Sequence, residues 1–439
     1  MRSVARRDAL KSLAAAGLAA AGSMVLHRGS AATADTRYPI EKGAELKLLR
    51  WKRYVQGDED AWMASTAKFT AQTGVKVQVE SVVGEELRAK GAMAASVGAG
   101  PDIVLGSPEM PQLYPDKCVD LTDVASYLGR KYGGWYEVCQ RSCILDGRWV
   151  AMSVAVVSFC VVYRESMVKA AGFNGIPRDL AGFLKLCQAL KARGTPVGLP
   201  LGNGLGDHSW CQWLLWSHGA TLIDEHNKVV IASKETLAAL DYGRALYATF
   251  VPGTLSWLDP SNNKAFLSGE ISLTWNPISI YYVAKTSTDP AMKAMAADIQ
   301  HAHLPIGPVG RPTELHGLLT GFIFTHAKYP NAAREYLRFM LEREQYEAWQ
   351  QASLGYMCQT LRAYESNPIW TSDPKITPFR DGPRLTQYSG YPGTVGAASA
   401  AVAADLVIPQ MVAEAVSGQS TPKDAIARAE QRARRYYRT

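Results

Sequence analysis

The alternation of strand and helix patterns early in the chain most constrains its fold. Residues 45–51 and 102–105 are short apolar runs, and residues 75–82 alternate β-branched and polar side chains, which is typical of strands. Between them, residues 58–73 and 85–97 have helical spacing, and a glycine follows each. A strand–helix–strand–helix–strand order predicts a parallel sheet covered on both faces, which is an α/β fold.

The later part of the chain has a different pattern. Asp146 and Gly147 predict a turn, and residues 154–163 form a long apolar extended run. Residues 331–353 have a continuous helical period and predict one long helix, and Thr421 caps the last helix. Further strands are predicted over 148–152 and 271–275, and further helices over 164–171, 177–192, 210–219 and 233–250.

The length of 439 residues exceeds what one hydrophobic core usually serves, so we expect two domains. The chain is 47% hydrophobic and 20% charged, as in ordinary globular proteins, and no segment after the first 34 residues has eighteen uninterrupted apolar residues. No repeat or low-complexity linker is present. The domains are therefore expected to be joined by strands rather than by a flexible tether.

Residues 1–34 have the pattern of an export signal. Arg6 and Arg7 form a twin arginine, an apolar run of about 15 residues follows, and Ala32 and Ala34 give a small-x-small cleavage site. This predicts a Tat-type signal cleaved after Ala34 and a periplasmic protein. The alternative is an uncleaved anchor helix. No cysteine near the cleavage site could carry a bacterial lipid anchor.

The formal charge of +7 gives little support for a nucleic-acid partner. Cleavage after residue 34 would remove five basic residues and one acidic residue and leave +3. Much of the remaining positive charge lies between Arg428 and Arg438, and we interpret this segment as a solvated terminal helix. No other basic stretch is interleaved with aromatic residues, so we predict no nucleic-acid binding.

The seven cysteines do not predict a metal site. An odd number in an oxidising compartment leaves at least one thiol free or intermolecular. Cys139 and Cys143 lie four residues apart, so buried free thiols and one bridge near Cys118–Cys143 both remain open. There is no Cys-x-x-Cys pair, and His301 with His303 lacks a third ligand. We therefore predict neither metal nor cofactor.

Six sequence blocks in a fixed order resemble one family, the extracellular solute-binding proteins of ABC importers, family 1. This carbohydrate-binding group includes maltodextrin-binding protein. The sequence departs from the family where Ser153 and Val154 replace the proline that usually begins the crossing strand. The blocks are residues 69–77, 98–104, 146–151 with 163–172, 265–275, 321 with 332–337, and 416–422.

The resemblance implies a two-lobe periplasmic-binding-protein fold, type II-like, with a ligand cleft between lobes that crossing strands join. The N-terminal lobe would contain residues 35–153 and 304–357, and the C-terminal lobe residues 154–303 and 358–439. The implied function is capture of a carbohydrate or polyol by lobe closure and its delivery to the transmembrane subunits of an ABC permease. The protein would act as a monomer.

Two alternatives stay open from the sequence. The same fold could bind a non-sugar solute, such as a polyamine or a phosphate ester, and an acidic rather than aromatic cleft would indicate this. The second alternative is an exported carbohydrate-active enzyme. However, the sequence has no Gly-x-Ser-x-Gly, no His-Glu-x-x-His and no phosphate-binding loop, and no carboxylate spacing stands out. We therefore predict no catalytic residues.

Residues after the first three predicted strands are candidate ligand contacts, because the carboxyl ends of such strands face the cleft. Trp51 and Arg53 follow the first strand, Glu85 the second and Ser107 the third. Each candidate also has a structural alternative. Trp51 would end its strand in the core, Glu85 would be an acid stabilised by a helix dipole, and Ser107 would cap a helix.

Other candidates are aromatic rings and planar polar groups, which suit the C–H faces and hydroxyls of sugars. Trp275 and Asn276 end a predicted strand in a loop that borders the cleft in the family, with a structural turn as the alternative. Tyr391 lies in a Pro/Gly-rich loop that faces either cleft or surface. Trp210, Trp213 and Trp216 have helical spacing, so at least one belongs to the core. The complete candidate set is Trp51, Arg53, Glu85, Ser107, Trp210, Trp275, Asn276, Gly317, Tyr356 and Tyr391, with Gly317 and Tyr356 placed by the resemblance only.

Overall fold

The computed structural model describes residues 37–52, 55–202, 207–258 and 260–438, without the side chains of Glu85 and Asp207. The predicted export signal lies outside these residues. Within them the chain forms ten strands. They are β1 Glu45–Trp51, β2 Lys76–Val82, β3 Ile103–Gly106, β4 Ile144–Leu145, β5 Arg148–Trp149, β6 Met152–Val157, β7 Cys160–Arg164, β8 Leu273–Asn276, β9 Ile299–Ala302 and β10 Gly317–Ile323.

The helices cover both faces of the main sheet and build most of the rest of the molecule. They are α1 Gln56–Thr73, α2 Gly84–Val97, α3 Glu109–Leu113, α4 Thr122–Lys131, α5 Glu137–Cys143, α6 Glu165–Ala170, α7 Leu180–Ala192, α8 Trp210–Ser217, α9 Lys234–Tyr247, α10 Ser261–Leu267, α11 Ser279–Thr286, α12 Pro290–Asp298, α13 Pro330–Met340, α14 Arg343–Ala352, α15 Ile369–Ser372, α16 Thr377–Leu385, α17 Ala397–Ala404, α18 Val407–Ser417 and α19 Pro422–Tyr436.

The first lobe is built on a five-stranded sheet in the order β2-β1-β3-β10-β6. β1 pairs in parallel with β2 and β3, as the early alternation of patterns predicts. β10 pairs antiparallel with both β3 and β6 and so returns the chain to this sheet from far along the sequence. The turn predicted at Asp146 and Gly147 joins β4 to β5, and both residues have positive φ, 49° and 74°.

The apolar run predicted over 154–163 divides between two sheets. β6 belongs to the five-stranded sheet, whereas β7 is the centre of a three-stranded antiparallel sheet, β8-β7-β9, in the second lobe. Ser158 and Phe159 lie between the two strands, and the chain changes lobe there. The predicted lobe boundary between residues 153 and 154 falls inside β6.

Two other segments also connect the lobes. Residues 303–316 run from β9 to β10. Farther along, the backbone of Cys358 pairs with Val156 of β6 through two hydrogen bonds, Cys358 N to Val156 O at 2.8 Å and the reverse at 3.1 Å. The lobes are therefore joined by short, hydrogen-bonded crossings, in agreement with the expected absence of a flexible tether.

The prediction of a single helix over 331–353 is wrong in one respect, because the structure contains two helices there, α13 and α14. The break falls at Leu341 and Glu342. The Tyr364 hydroxyl donates to the carbonyl oxygen of Leu341 at 2.6 Å, and the Glu342 carboxylate forms ion pairs with Lys131 and Arg338 at 2.7 and 2.6 Å. The Tyr364 hydroxyl thus occupies a carbonyl oxygen that would accept a backbone N–H if the helix continued.

Within the described residues, one helical stretch, Ala397–Ser417, is long and apolar enough to cross a membrane by length and composition. It is broken at Asp405 and Leu406 into α17 and α18, and 56% of its most apolar window is buried. Here α17 packs on α3, and α18 packs on α8, α9 and α19. The stretch therefore serves as core and as a wall between lobes.

All seven cysteines lie within the described residues, and all are buried and free. Of the two arrangements left open by the sequence, the structure has the buried free thiols. Burial raises the pKa of the Cys118 thiol to about 12, although Arg148 lies near and opposes this. These thiols are packed as small apolar side chains.

Candidate functional site

A cavity of about 390 Å³ lies where the two lobes face each other. The first lobe contributes the ends of β1, β3 and β10 together with α2 and α3. The second lobe contributes the start of α8 and the end of β8. The segments 387–391 and 402–409 complete the wall. This volume falls within the range of small-molecule binding sites in proteins.

Aromatic rings form much of the cavity wall. Trp216 packs edge-on against Tyr391 with ring centroids 5.6 Å apart, and Tyr388 packs against Tyr391 at the same distance. The guanidinium of Arg311 donates to the Tyr391 hydroxyl at 2.7 Å, which fixes the orientation of that ring. The aromatic side chains on the wall are those of Trp51, Tyr114, Phe159, Trp216, Tyr356, Tyr388, Tyr391 and Tyr437.

The floor of the cavity rests on a stack of three rings. Trp275 lies between Phe159 and His316, with centroid distances of 5.7 and 5.9 Å and interplanar angles of 21°. Phe159 and His316 line the cavity, whereas Trp275 is fully buried beneath them and donates its Nε1–H to the Ser209 hydroxyl at 2.9 Å. The middle ring thus holds the other two in place.

His316 has a defined tautomer because of its backbone contact. The Phe159 N–H donates to His316 Nδ1 at 3.0 Å, so Nδ1 is an acceptor and the proton of the neutral ring sits on Nε2. Nε2 lies 3.1 Å from the buried Glu314 carboxylate, but it makes no well-aligned hydrogen bond. The His316 side chain is fully buried, and its Nε2–H lies beside the Glu314 carboxylate beneath the cavity floor.

Glu314 and His303 carry the charge beneath this floor. Burial disfavours ionisation of Glu314, but His303 and His316 beside it lower its pKa to about 2. Burial would lower the pKa of His303, but the Glu314 carboxylate, 3.4 Å from its Nδ1, raises it above the ordinary value. The second Glu314 oxygen accepts from the Leu304 N–H at 2.7 Å. The crossing segment 303–316 is thus fixed by one buried carboxylate.

Asn276 is held by a network of buried amides and hydroxyls. Its Oδ1 accepts from Asn262 at 2.9 Å, and its Nδ2 donates to the Ser279 hydroxyl at 2.9 Å and to the Pro277 carbonyl at 2.8 Å. Asn263 also donates to the Ser279 hydroxyl at 3.0 Å. Asn276 and Ser279 both line the cavity, so the network presents fixed polar groups there.

One polar atom on the wall, Gln212 Oε1, is buried and has no hydrogen-bond partner within the described part of the chain. The Tyr437 hydroxyl is also buried and lies beside Ser399. Burial raises the pKa of Tyr437 to about 12, so its hydroxyl is neutral and can both donate and accept. Buried polar groups are normally hydrogen-bonded, so the Gln212 oxygen marks a position where a polar solute fits.

The model of the family described as bacterial extracellular solute-binding proteins matches residues 64–378, more than half of the chain. The chain belongs to this family. Its members are binding proteins rather than enzymes, and they act outside the cytoplasm, in the periplasm or the extracellular space. The resemblance inferred from the six sequence blocks and the expected two-lobe fold are both confirmed.

Individual relatives of this solute-binding protein are distant in sequence. A probable ABC transporter-binding protein of Deinococcus radiodurans is 22% identical over 69% of this chain and 72% of its own length. The diacetylchitobiose binding protein DasA of Streptomyces coelicolor is 24% identical over 66% and 67%. Maltose-bound MalE3 of T. maritima superposes with a TM-score of 0.78 at 19% identity, covering 89% of this chain and 99% of that one.

The structure of the solute-binding protein brings six of the ten sequence-predicted residues to the cavity. These six are Trp51, Ser107, Asn276, Gly317, Tyr356 and Tyr391. Arg53 lies outside the described residues, as does the side chain of Glu85. No ligand contact has been observed for any of the six, so their roles remain predictions.

Trp210 and Trp275 are placed in the core and not on the cavity wall, which corrects the expectation from the sequence. Both side chains are 0% exposed. Trp210 donates to the Pro200 carbonyl at 2.7 Å and packs on Phe250, and Trp275 lies opposite Val161 in the paired strands β8 and β7. Each indole N–H is satisfied inside the protein, so neither ring has a free face for a solute.

Sequence reasoning missed several residues of the wall. Gln212 and Tyr437 carry buried polar groups of the wall, and the α17–α18 junction supplies a group of apolar side chains. The helical tryptophan spacing did contain a signal for Trp216, but it could not distinguish that ring from Trp210. Tyr437 follows the last helix and has no local motif at all.

Proposed function

We propose that this protein captures a neutral carbohydrate or polyol between its lobes and delivers it to the transmembrane subunits of an ABC permease. The observation that carries this proposal is the chemistry of the cavity, which combines eight aromatic rings with the polar side chains of Gln212, Asn276 and Tyr437. Sugars present apolar C–H faces that stack on rings and hydroxyls that need both donors and acceptors.

The polar groups of the cavity offer such donors and acceptors. Gln212 Oε1 accepts, and the Tyr437 hydroxyl donates or accepts. The fixed amide of Asn276 adds a further planar group. The names of two relatives support the same ligand class, since one is a diacetylchitobiose binding protein and one holds maltose.

The charge of the cavity disfavours the two non-sugar solutes. Among the described lining residues, Glu109 is the one carboxylic acid and Arg88 the one lysine or arginine, beside the imidazoles of His208 and His316. A polyamine would need several carboxylates, and a phosphate ester would need a cluster of cations or backbone N–H groups. The Glu109 carboxylate also accepts from the Ser389 hydroxyl at 3.2 Å, so part of its capacity is used within the protein.

Capture would proceed by closure of the lobes about the crossings at Ser158 and Phe159. A solute that contacts both lobes binds the closed arrangement better than the open one and therefore shifts the population toward it. The permease would then recognise the closed form. We propose a monomer, because one chain supplies both walls of the cavity.

Export through the twin-arginine route is part of the proposal. The support is the sequence of residues 1–34, with Arg6 and Arg7 before the apolar run. Replacement of both by lysine (Arg6→Lys with Arg7→Lys) should stop export of the folded protein, measured by fractionation. Continued export at the normal rate would mean that another route is used.

The ligand proposal is tested by a thermal-shift screen of residues 35–439 against mono-, di- and oligosaccharides, polyols, polyamines and phosphate esters. A ligand at about 100 times its Kd stabilises the folded state by about 2.7 kcal/mol, which is a readily measured shift. We expect hits among sugars or polyols. Hits confined to polyamines or phosphate esters would keep the fold and refute the ligand class.

A further inference from the structure

One side of the cavity is mainly apolar. Six apolar side chains around the α17–α18 junction line it, and Ser399 is the polar lining residue of α17. α17 packs against α3 of the other lobe, which adds Met110 and Leu113 to the same side. We call these eight residues the apolar wall. They are Met110, Leu113, Val402, Ala403, Ala404, Leu406, Ile408 and Pro409.

Other polar side chains of the cavity come from other elements. Asn276 lies at the crossing between lobes, where it pairs with Cys160, and Gln212 belongs to α8 of the second lobe. The polar lining residues of α3 and α17 are Glu109 and Ser399, and both bond within the protein. Glu109 accepts from the Ser389 hydroxyl at 3.2 Å, and the Ser399 hydroxyl exchanges hydrogen bonds with the Gly396 backbone. The remaining lining side chains of α3, α17 and α18 can neither donate nor accept.

This arrangement is poorly matched to an unmodified sugar that fills the whole cavity. Any hydroxyl placed against the apolar wall would lose its water and gain no hydrogen bond, at a cost of about 1–3 kcal/mol per group. An apolar group placed there would instead gain free energy from leaving water. The wall therefore selects for a ligand with one polar end and one apolar end.

We propose that the solute is a glycoside with an apolar aglycone, aryl or alkyl, whose sugar lies toward Asn276 and Gln212 and whose aglycone lies against the apolar wall. This inference rests on the proposed function and specifies its ligand class further. Val402 is the residue of the wall best suited to a test, because it is 7% exposed and lies within α17.

The experiment compares matched pairs of methyl and 4-nitrophenyl glycosides of glucose, galactose, xylose, maltose and cellobiose by titration calorimetry. For the sugar that binds, the 4-nitrophenyl glycoside should bind more than about tenfold tighter than the methyl glycoside, because its ring leaves water at the wall. Val402→Thr replaces a methyl group with a hydroxyl of similar size and should reduce this ratio at least about threefold.

Val412→Thr is the matched control, since Val412 is fully buried in α18 and does not line the cavity. It should lower stability while leaving the ratio of affinities unchanged. Equal affinity for the two members of a binding pair, or tighter binding of the methyl glycoside, would overturn the aglycone inference and leave the proposed function intact. If neither series nor any free sugar or polyol binds, both proposals fail.

Discussion

Substitution of His301 should remove a large part of the acid sensitivity of the fold. His301 lies on β9, buried between the rings of Tyr281 and Phe379 at 5.4 and 4.7 Å. Its Nδ1 lies 2.7 Å from the Lys375 carbonyl oxygen, which only accepts, so Nδ1 carries the proton of a neutral ring. Burial, together with the nearby Lys375 ammonium, lowers the pKa of His301 to about 4 despite that hydrogen bond.

The magnitude follows from linkage between protonation and folding. The unfolded chain binds a proton at His301 near pH 6.5, whereas the folded protein does so only near pH 4. As the pH falls through this window, the unfolded state gains protons first and stability is lost. Between pH 7 and pH 5 the loss from this one residue is about 2 kcal/mol, because each unit of pKa difference corresponds to about 1.4 kcal/mol.

His301→Asn tests this because the asparagine amide can still donate to the Lys375 carbonyl but does not titrate. Urea unfolding at pH 7 and pH 5 gives the free energy of unfolding of each protein at each pH. The variant should lose about 2 kcal/mol less than the parent between the two pH values. Its lower absolute stability, from the lost ring contacts, is common to both pH values and cancels.

His226→Asn is the matched control, because the His226 side chain is 84% exposed on a turn and is solvated in folded and unfolded chains alike. It should retain the pH dependence of the parent protein. If His301→Asn and the parent lose the same free energy between pH 7 and pH 5, His301 is not held neutral by burial and the reasoning fails.

Three other substitutions separate binding from stability. Trp216→Ala should weaken binding of a screen hit by about 1–3 kcal/mol in calorimetry, since its ring lines the cavity beside Tyr391; unchanged affinity would place the solute elsewhere. Trp275→Ala should cost about 3–5 kcal/mol of unfolding free energy because the ring is fully buried, and a variant with parental stability in urea would contradict that placement. Gly57→Ala should destabilise by about 1–3 kcal/mol, since its Cβ would lie 2.0 Å from the Ala352 carbonyl oxygen; an unshifted melting temperature would show that the backbone accommodates it.

The first lobe could be predicted from sequence because its signals are local. Each of the strands β1, β2 and β3 and each helix between them has its own hydrophobic period, and a glycine follows each of these helices. The predicted bounds agree with the structure within a few residues. The division of residues 154–163 between two sheets could not be predicted. Every residue of β6 and the first four of β7 are buried, so no change in hydrophobicity marks the crossing at Ser158 and Phe159.

The site was only partly predictable for a related reason. Position at the carboxyl ends of the parallel strands β1 and β3 places Trp51 and Ser107 at the cavity, because parallel topology sets where strand ends lie. Asn276 ends β8 of the antiparallel sheet, and its candidacy came from the family resemblance. The position of a residue at the end of a strand does not indicate which way its side chain faces. Trp275 and Asn276 are adjacent in β8, yet the indole packs beneath the floor while the amide lines the cavity.

The same residues form the floor of the cavity and the crossing between the lobes. Phe159 lies where the chain changes lobe, and its N–H binds His316, which ends the second crossing segment. Trp275 of the second lobe stacks between these two rings. A solute resting on Phe159 and His316 therefore contacts the segments whose backbone must turn when the lobes close. Binding free energy gained there depends directly on the lobe arrangement, which is the condition for a solute to shift the closure equilibrium.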